Sequence, residues 1–125
     1  MRNGIYAVYQ GNEYEAGKKS DSFFLRSYNS NDVAKGFFLY KGTVYIKDVQ
    51  RSDLEEVYSI TTFAEYKKVK LQVLKEEGER ILLSGMVGDY RIFENLGMDL
   101  VDRGIYHKWV NKNDVTSLYE EKTLY

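Results

Sequence analysis

The sequence contains no cysteine and no proline, and it spends only one histidine and one tryptophan in 125 residues. Without cysteine, disulfides, thiol catalysis and thiolate metal sites are excluded outright. One histidine with no thiolate beside it does not complete the usual nitrogen–sulfur zinc site. Without proline, glycine and Asn/Asp clusters must mark the turns. A long apolar run is also missing. Nothing approaches the roughly 18 residues of a membrane span, and the opening "MRNGIYAVYQGNEY" has no apolar core of signal-peptide length. The expectation is a soluble, cytoplasmic protein with no membrane partner. Surplus charge is absent too: 18 basic residues face 19 acidic ones. The first sixty residues carry 8 of each sign and the remainder 10 and 11, so neither half is a polycation with a broad phosphate-binding face.

What the chain has is tyrosine, 12 residues of it. Tyrosine suits half-buried strands, with the ring inside and the hydroxyl at the water boundary. The hydrophobic share of 43% is enough for a core, and the length fits one ordinary domain or two very small ones.

The chain also repeats itself. Residues 36–60 laid over 97–121 give seven identities in 25 positions: Gly36/Gly97, Leu39/Leu100, Tyr45/Tyr106, Lys47/Lys108, Val49/Val110, Asp53/Asp114 and Tyr58/Tyr119. Earlier segments match at an offset of 57 rather than 61. "YAVYQ" (6–10) lies over "FAEYK" (63–67), and "FLRS" (24–27) over "ILLS" (81–84). The four-residue difference is expected between residues 28 and 35, where the second copy holds the longer "GMVGDYRIFENL" (85–96). The reading is an internal duplication of a unit near 60 residues, with domains 1–60 and 61–125.

Within a unit, short β-branched and aromatic runs predict strands at 5–9, 13–17, 22–28, 37–40 and 43–49, with a turn at Gly11–Asn12. "NSNDVAKGF" offers a helical turn between caps. Its longer counterpart predicts a helix near 89–96, where Tyr90, Phe93 and Leu96 are spaced as on one helix face. "RSDL" (51–54) predicts a tight helical turn with Ser52 as cap and Asp53 near free N–H groups. A strand at 55–60 then runs almost directly into 61–66. This element order resembles the Src-homology-3-like (SH3-like) barrel, in which a hairpin-rich sheet closes through one helical turn into a final strand. The resemblance implies a mainly β chain with short helical insertions: two tandem SH3-like units packed as one body. The proline-peptide signature of signalling members is not visible.

No catalytic constellation emerges. His107 has Ile46 as its repeat partner, which marks a half-buried strand position. The pairs Glu55–Glu56, Glu76–Glu77 and Glu120–Glu121 are sequence neighbours, so on strands they point to opposite faces and do not converge. No cofactor, metal or catalytic residue is expected. The repeated Tyr-x-Lys-x-Val pattern puts Tyr45 with Lys47, and Tyr106 with Lys108, on one strand face. The copies part company where His107 and Trp109 replace Ile46 and Asp48. Exposed tryptophan and tyrosine are favoured interface anchors, so these six residues are the candidates for partner binding. The expected function is a non-enzymatic protein-binding module. In size and class it is similar in kind to bacterial toxin-immunity proteins, which cover a partner's active surface. The alternative is a barrel that binds single-stranded nucleic acid by stacking bases on tyrosines. The net charge of −1 weighs against it, and it would need a basic stripe from Lys67, Lys68 and Lys70 on one strand.

Overall fold

In a computed structural model that describes every residue from Met1 to Tyr125, the chain is mainly β, with eleven strands, one short α-helix and three 3₁₀ segments. It divides into two units. The N-terminal unit comprises Gly4–Ile60 with Lys122–Tyr125, and the C-terminal unit comprises Thr61–Glu121 with Met1–Asn3.

The N-terminal unit begins with β1 (Gly4–Tyr9), β2 (Asn12–Lys19) and β3 (Ser22–Ser27), an antiparallel meander. A 3₁₀ segment, Ser30–Lys35, leads to the hairpin of β4 (Phe38–Lys41) and β5 (Val44–Val49), and β5 pairs with β3. A 3₁₀ turn, Arg51–Asp53, then feeds the first half of β6 (Glu56–Tyr66), which returns to pair with β1. The strand order is β4-β5-β3-β2-β1-β6, with β4 at the edge. Strict alternation builds the core. On β3, Phe23 and Leu25 point in while Phe24 and Arg26 point out, and Leu25 is fully buried.

The C-terminal unit repeats this order. The second half of β6, β7 (Val69–Glu77) and β8 (Arg80–Gly85) form the meander. Helix α1 (Tyr90–Asn95) precedes the hairpin of edge strand β9 (Asp99–Asp102) and β10 (Ile105–Asn111), and β10 pairs with β8. A 3₁₀ turn, Lys112–Asp114, leads into β11 (Ser117–Leu124), which pairs with β6. Even irregularities recur. The register slips at Tyr40 in the first edge hairpin and at Val101 in the second.

The cross-strand register corrects the sequence alignment. Leu25 faces Lys47 and Leu83 faces Lys108, so the counterpart of Leu25 is Leu83, not Leu82. The extra residue is Leu74, skipped in the pairing between Val73 and Lys75. This is a β-bulge, in which two residues on one strand oppose one on its neighbour. One of the four additional residues of the second half therefore sits in β7, and only three lie between β8 and β9.

The turns need a second correction. Gln10–Gly11, rather than Gly11–Asn12, forms the first hairpin turn, with φ of 49° and 79°. Its counterpart is Lys67–Lys68, with φ of 48° and 68°. Two consecutive left-handed residues are what a two-residue hairpin turn demands. Lys67 and Lys68 are thus turn residues, not members of a basic strand.

Local chemistry explains the helical pieces. The Asn29 side chain accepts from Asn31 N–H (2.9 Å), and the segment ends at Gly36, whose φ of 94° is cheap only for glycine. Asp89 caps α1 by accepting from Arg91 N–H (3.0 Å), and Gly97 follows with φ of 75°. In the turn after β5, Gln50 occupies the cap rather than Ser52, and Asp53 accepts from Gln50 N–H (2.8 Å).

Candidate functional site

The sheet face of the N-terminal unit turned away from the core carries a contiguous apolar patch. Phe24 from β3, Phe38 and Tyr40 from β4, and Val44 and Ile46 from β5 floor a groove of about 610 Å³. Phe38 is 51% exposed and Tyr40 65%. Alternation puts all five on this outer side, opposite Leu25 and Val49. Gly17 on β2 faces Phe24 and has no side chain, so the Phe24 ring lies directly over it; a Cβ there would stand 2.1 Å from the ring.

The rim is charged but mostly self-satisfied. Lys19 pairs with Asp48 (2.7 Å) and Arg26 with Glu15 (3.1 Å). Tyr28 donates its hydroxyl to the same Glu15 carboxylate (2.9 Å). Lys41 alone lines the groove without an ion pair.

The matching face of the C-terminal unit holds His107 and Trp109, both half-buried on β10. They border a smaller recess of about 230 Å³ with Leu82, Asp99 and Val101. Trp109 stands opposite Leu82, and Leu82 in turn stands opposite Lys75. The Arg80 guanidinium lies 4.8 Å and the Lys75 ammonium 5.6 Å from the tryptophan ring centre. Both are within cation–π range. His107 and Trp109 occupy the register positions that Ile46 and Asp48 fill in the groove.

The other four candidates point inward. Tyr106 is buried against Phe93, with ring centres 5.3 Å apart. Lys108 donates to the Gly97 carbonyl (3.4 Å), and the Lys47 ammonium sits where a Cβ on Gly36 would reach it at 2.6 Å. The repeated lysines thus place positive charge at the C-terminal ends of the two helical segments, where unpaired carbonyls favour a cation. Tyr45, half-buried, packs against the core cluster of the first unit. The structure therefore brings His107 and Trp109 together on one face and places Tyr45, Lys47, Tyr106 and Lys108 on inner faces.

Sequence reasoning missed the groove. The signal was in "GFFLYKG", where Phe37 and Leu39 take one parity and Phe38 and Tyr40 the other, so both faces of that hairpin had to be aromatic. Phe37 is the buried one, 5.1 Å from the Tyr14 ring.

One polar cluster is buried. Ser27 donates to the Asp32 carboxylate (2.5 Å) and accepts from Asn29 N–H (3.1 Å), while Lys35 approaches Asp32 at 3.7 Å. No histidine or other strong base faces the serine, so the cluster ties the loop down rather than preparing a nucleophile. No three carboxylate or imidazole groups converge as a metal set. The resolved electrostatic shifts all lie at the surface. Arg2 holds the Glu120 carboxyl below its ordinary value, Arg91 does the same to Asp89, and Glu121 raises Lys70. Lys70 is thus committed to Glu121 (2.7 Å) and lies 4.3 Å from the Phe63 ring. Together with the turn positions of Lys67 and Lys68, this dissolves the basic stripe that the nucleic-acid reading required.

No helix is long and apolar enough to cross a membrane. No curated protein and no solved structure matches the chain. A family model covers residues 1–125, and the chain belongs to the family described as uncharacterised conserved protein UCP033725.

Proposed function

We propose that the chain is a non-enzymatic, cytoplasmic protein-binding module built from two SH3-like units that arose by internal duplication. The shared element order, the recurring edge bulges and the paired left-handed turns support the duplication. The binding reading rests on one observation: the groove floored by Phe24, Phe38, Tyr40, Val44 and Ile46 on the outer face of the N-terminal unit. Contiguous apolar surface rimmed by polar groups marks interaction sites. Covering it removes water from aromatic area at roughly 25 cal/mol per Å². The occupant is an apolar side-chain cluster of a partner protein, and its most specific form is an immunity-type inhibitor that covers a bacterial toxin's active surface.

Nucleic acid is the weaker reading. Two of the groove's three cations, Lys19 and Arg26, already have carboxylate partners, and binding a phosphate chain would mean breaking both pairs. The test is capture of a stoichiometric protein from the native host by the full chain, compared with Phe38→Asp. Phe38 is exposed, so the substitution leaves folding intact and sets a charge into the apolar floor. Equal capture by both chains, or retention of nucleic acid alone, overturns the reading.

A further inference from the structure

The face around Trp109 carries a more specific message than the groove. The Arg80 and Lys75 cations both lie over its ring, and neither makes an ion pair. Several other cations of this unit have carboxylate partners: Lys112 pairs with Glu76, Lys70 with Glu121 and Arg2 with Glu120. Arg80 stands opposite Glu77 in the β7–β8 register without bonding to it. Arg80 and Lys75 instead converge on the chain's one tryptophan, beside His107 and Leu82. Tryptophan and arginine head the residues that dominate binding energy at interfaces.

The geometry points to a docking site for a carboxylate side chain of a partner protein, seated between Arg80 and Lys75 at the edge of the Trp109 ring. The partner's neighbouring apolar group would enter the recess formed by Leu82, Val101 and Trp109. This rests on the reading of the chain as a protein-binding module and adds the chemistry of what is bound. Charge complementarity selects the occupant. A lone carboxylate meets two unpaired cations. A nucleic-acid strand would carry further phosphates across Asp99 on the recess wall and across Glu77 and Glu79 of the β7–β8 hairpin, which repel it. Arginine's planar fork can bind both carboxylate oxygens while its face stays on the indole.

The experiment is a selection of random twelve-residue displayed peptides on the full-length chain. The affinities of the enriched peptides are then measured by calorimetry and by Trp109 emission. Aspartate or glutamate is expected in the enriched consensus, next to an apolar residue. The affinity should fall roughly tenfold in Lys75→Gln/Arg80→Gln, as two exposed charge contacts are lost, and 500 mM salt should weaken it similarly. Both side chains are exposed, so the double variant keeps its fold. An enriched consensus without acidic residues, or equal binding to the double variant, overturns this inference and leaves the protein-binding reading standing. No enrichment, accompanied by saturable quenching of Trp109 by oligothymidylate, overturns both. No enrichment and no quenching overturns the carboxylate site alone, since partner capture through the groove is read separately with Phe38→Asp.

Discussion

Gly85→Ala is the substitution whose consequence the packing fixes most closely. Gly85 ends β8 opposite Tyr106, and an added Cβ would lie 2.5, 2.7 and 2.9 Å from three carbons of the Phe93 ring. Carbon atoms rest at about 3.5–4.0 Å, so the ring must retreat by about 1 Å. It has nowhere to go: Phe93 is 5% exposed and its ring lies 5.3 Å from that of Tyr106. Overpacking of this kind costs about 1–3 kcal/mol. For a chain of this size, each kcal/mol lowers Tm by roughly 3–5 °C. Gly17→Ala is the control. Its Cβ would stand even closer, 2.1 Å, to Phe24. The Phe24 ring, however, is half-exposed on the outer face and can swing into solvent, so the loss of stability should stay below about 0.5 kcal/mol. Urea unfolding of wild type and both variants decides the matter. Equal midpoints for Gly85→Ala and wild type, or a larger loss for Gly17→Ala, would refute the idea that Phe93 is locked on Gly85 while Phe24 is free.

Lys68 holds φ of 68° where its counterpart Gly11 is free of the Cβ penalty, so Lys68→Gly should stabilise the chain by about 0.5–1 kcal/mol in the same urea assay. Asp32→Ala strips the partner from the buried Ser27 hydroxyl and should cost about 1–3 kcal/mol. Lys47→Met and Lys108→Met should each cost about 0.3–1 kcal/mol, and less at high salt, because each removes a cation from a helical C-terminus. For pH, Arg91 lowers the folded pKa of Asp89. The stabilising contribution of Asp89 is therefore present above its unfolded pKa and disappears as pH falls through the folded one. An NMR titration should find the Asp89 midpoint below the ordinary aspartate value, returning toward it in Arg91→Gln.

Legibility followed the physics of each element. The β-branched and aromatic run of β1, the strand β3 and the capped helix at 89–96 were readable because composition, turns and caps agree. The strand running through 55–66 was readable because nothing in "EEVYSITTFAEY" breaks it. The bulge at Leu74 was not, since a single inserted residue leaves the apolar pattern of "VLK" unchanged. The turn at Lys67–Lys68 defied propensity, because lysine is a poor left-handed residue. Only its place over Gln10–Gly11 in the repeat carried the signal. For the site, the divergence of His107 and Trp109 from Ile46 and Asp48 singled out that strand of the second unit, and the β10–β8 register then assigned both to its outer face. The groove in the first unit was hidden because an aromatic residue on a strand is read as core until parity assigns its face.

The central claim is that the outer face of the first unit docks a protein. Quantitative capture from the native host, with wild type and Phe38→Asp run in parallel, tests it most directly. One protein retained in equal amount with the wild-type chain, and lost with Phe38→Asp at unchanged Tm, is the predicted result. Identical retention by both chains contradicts it.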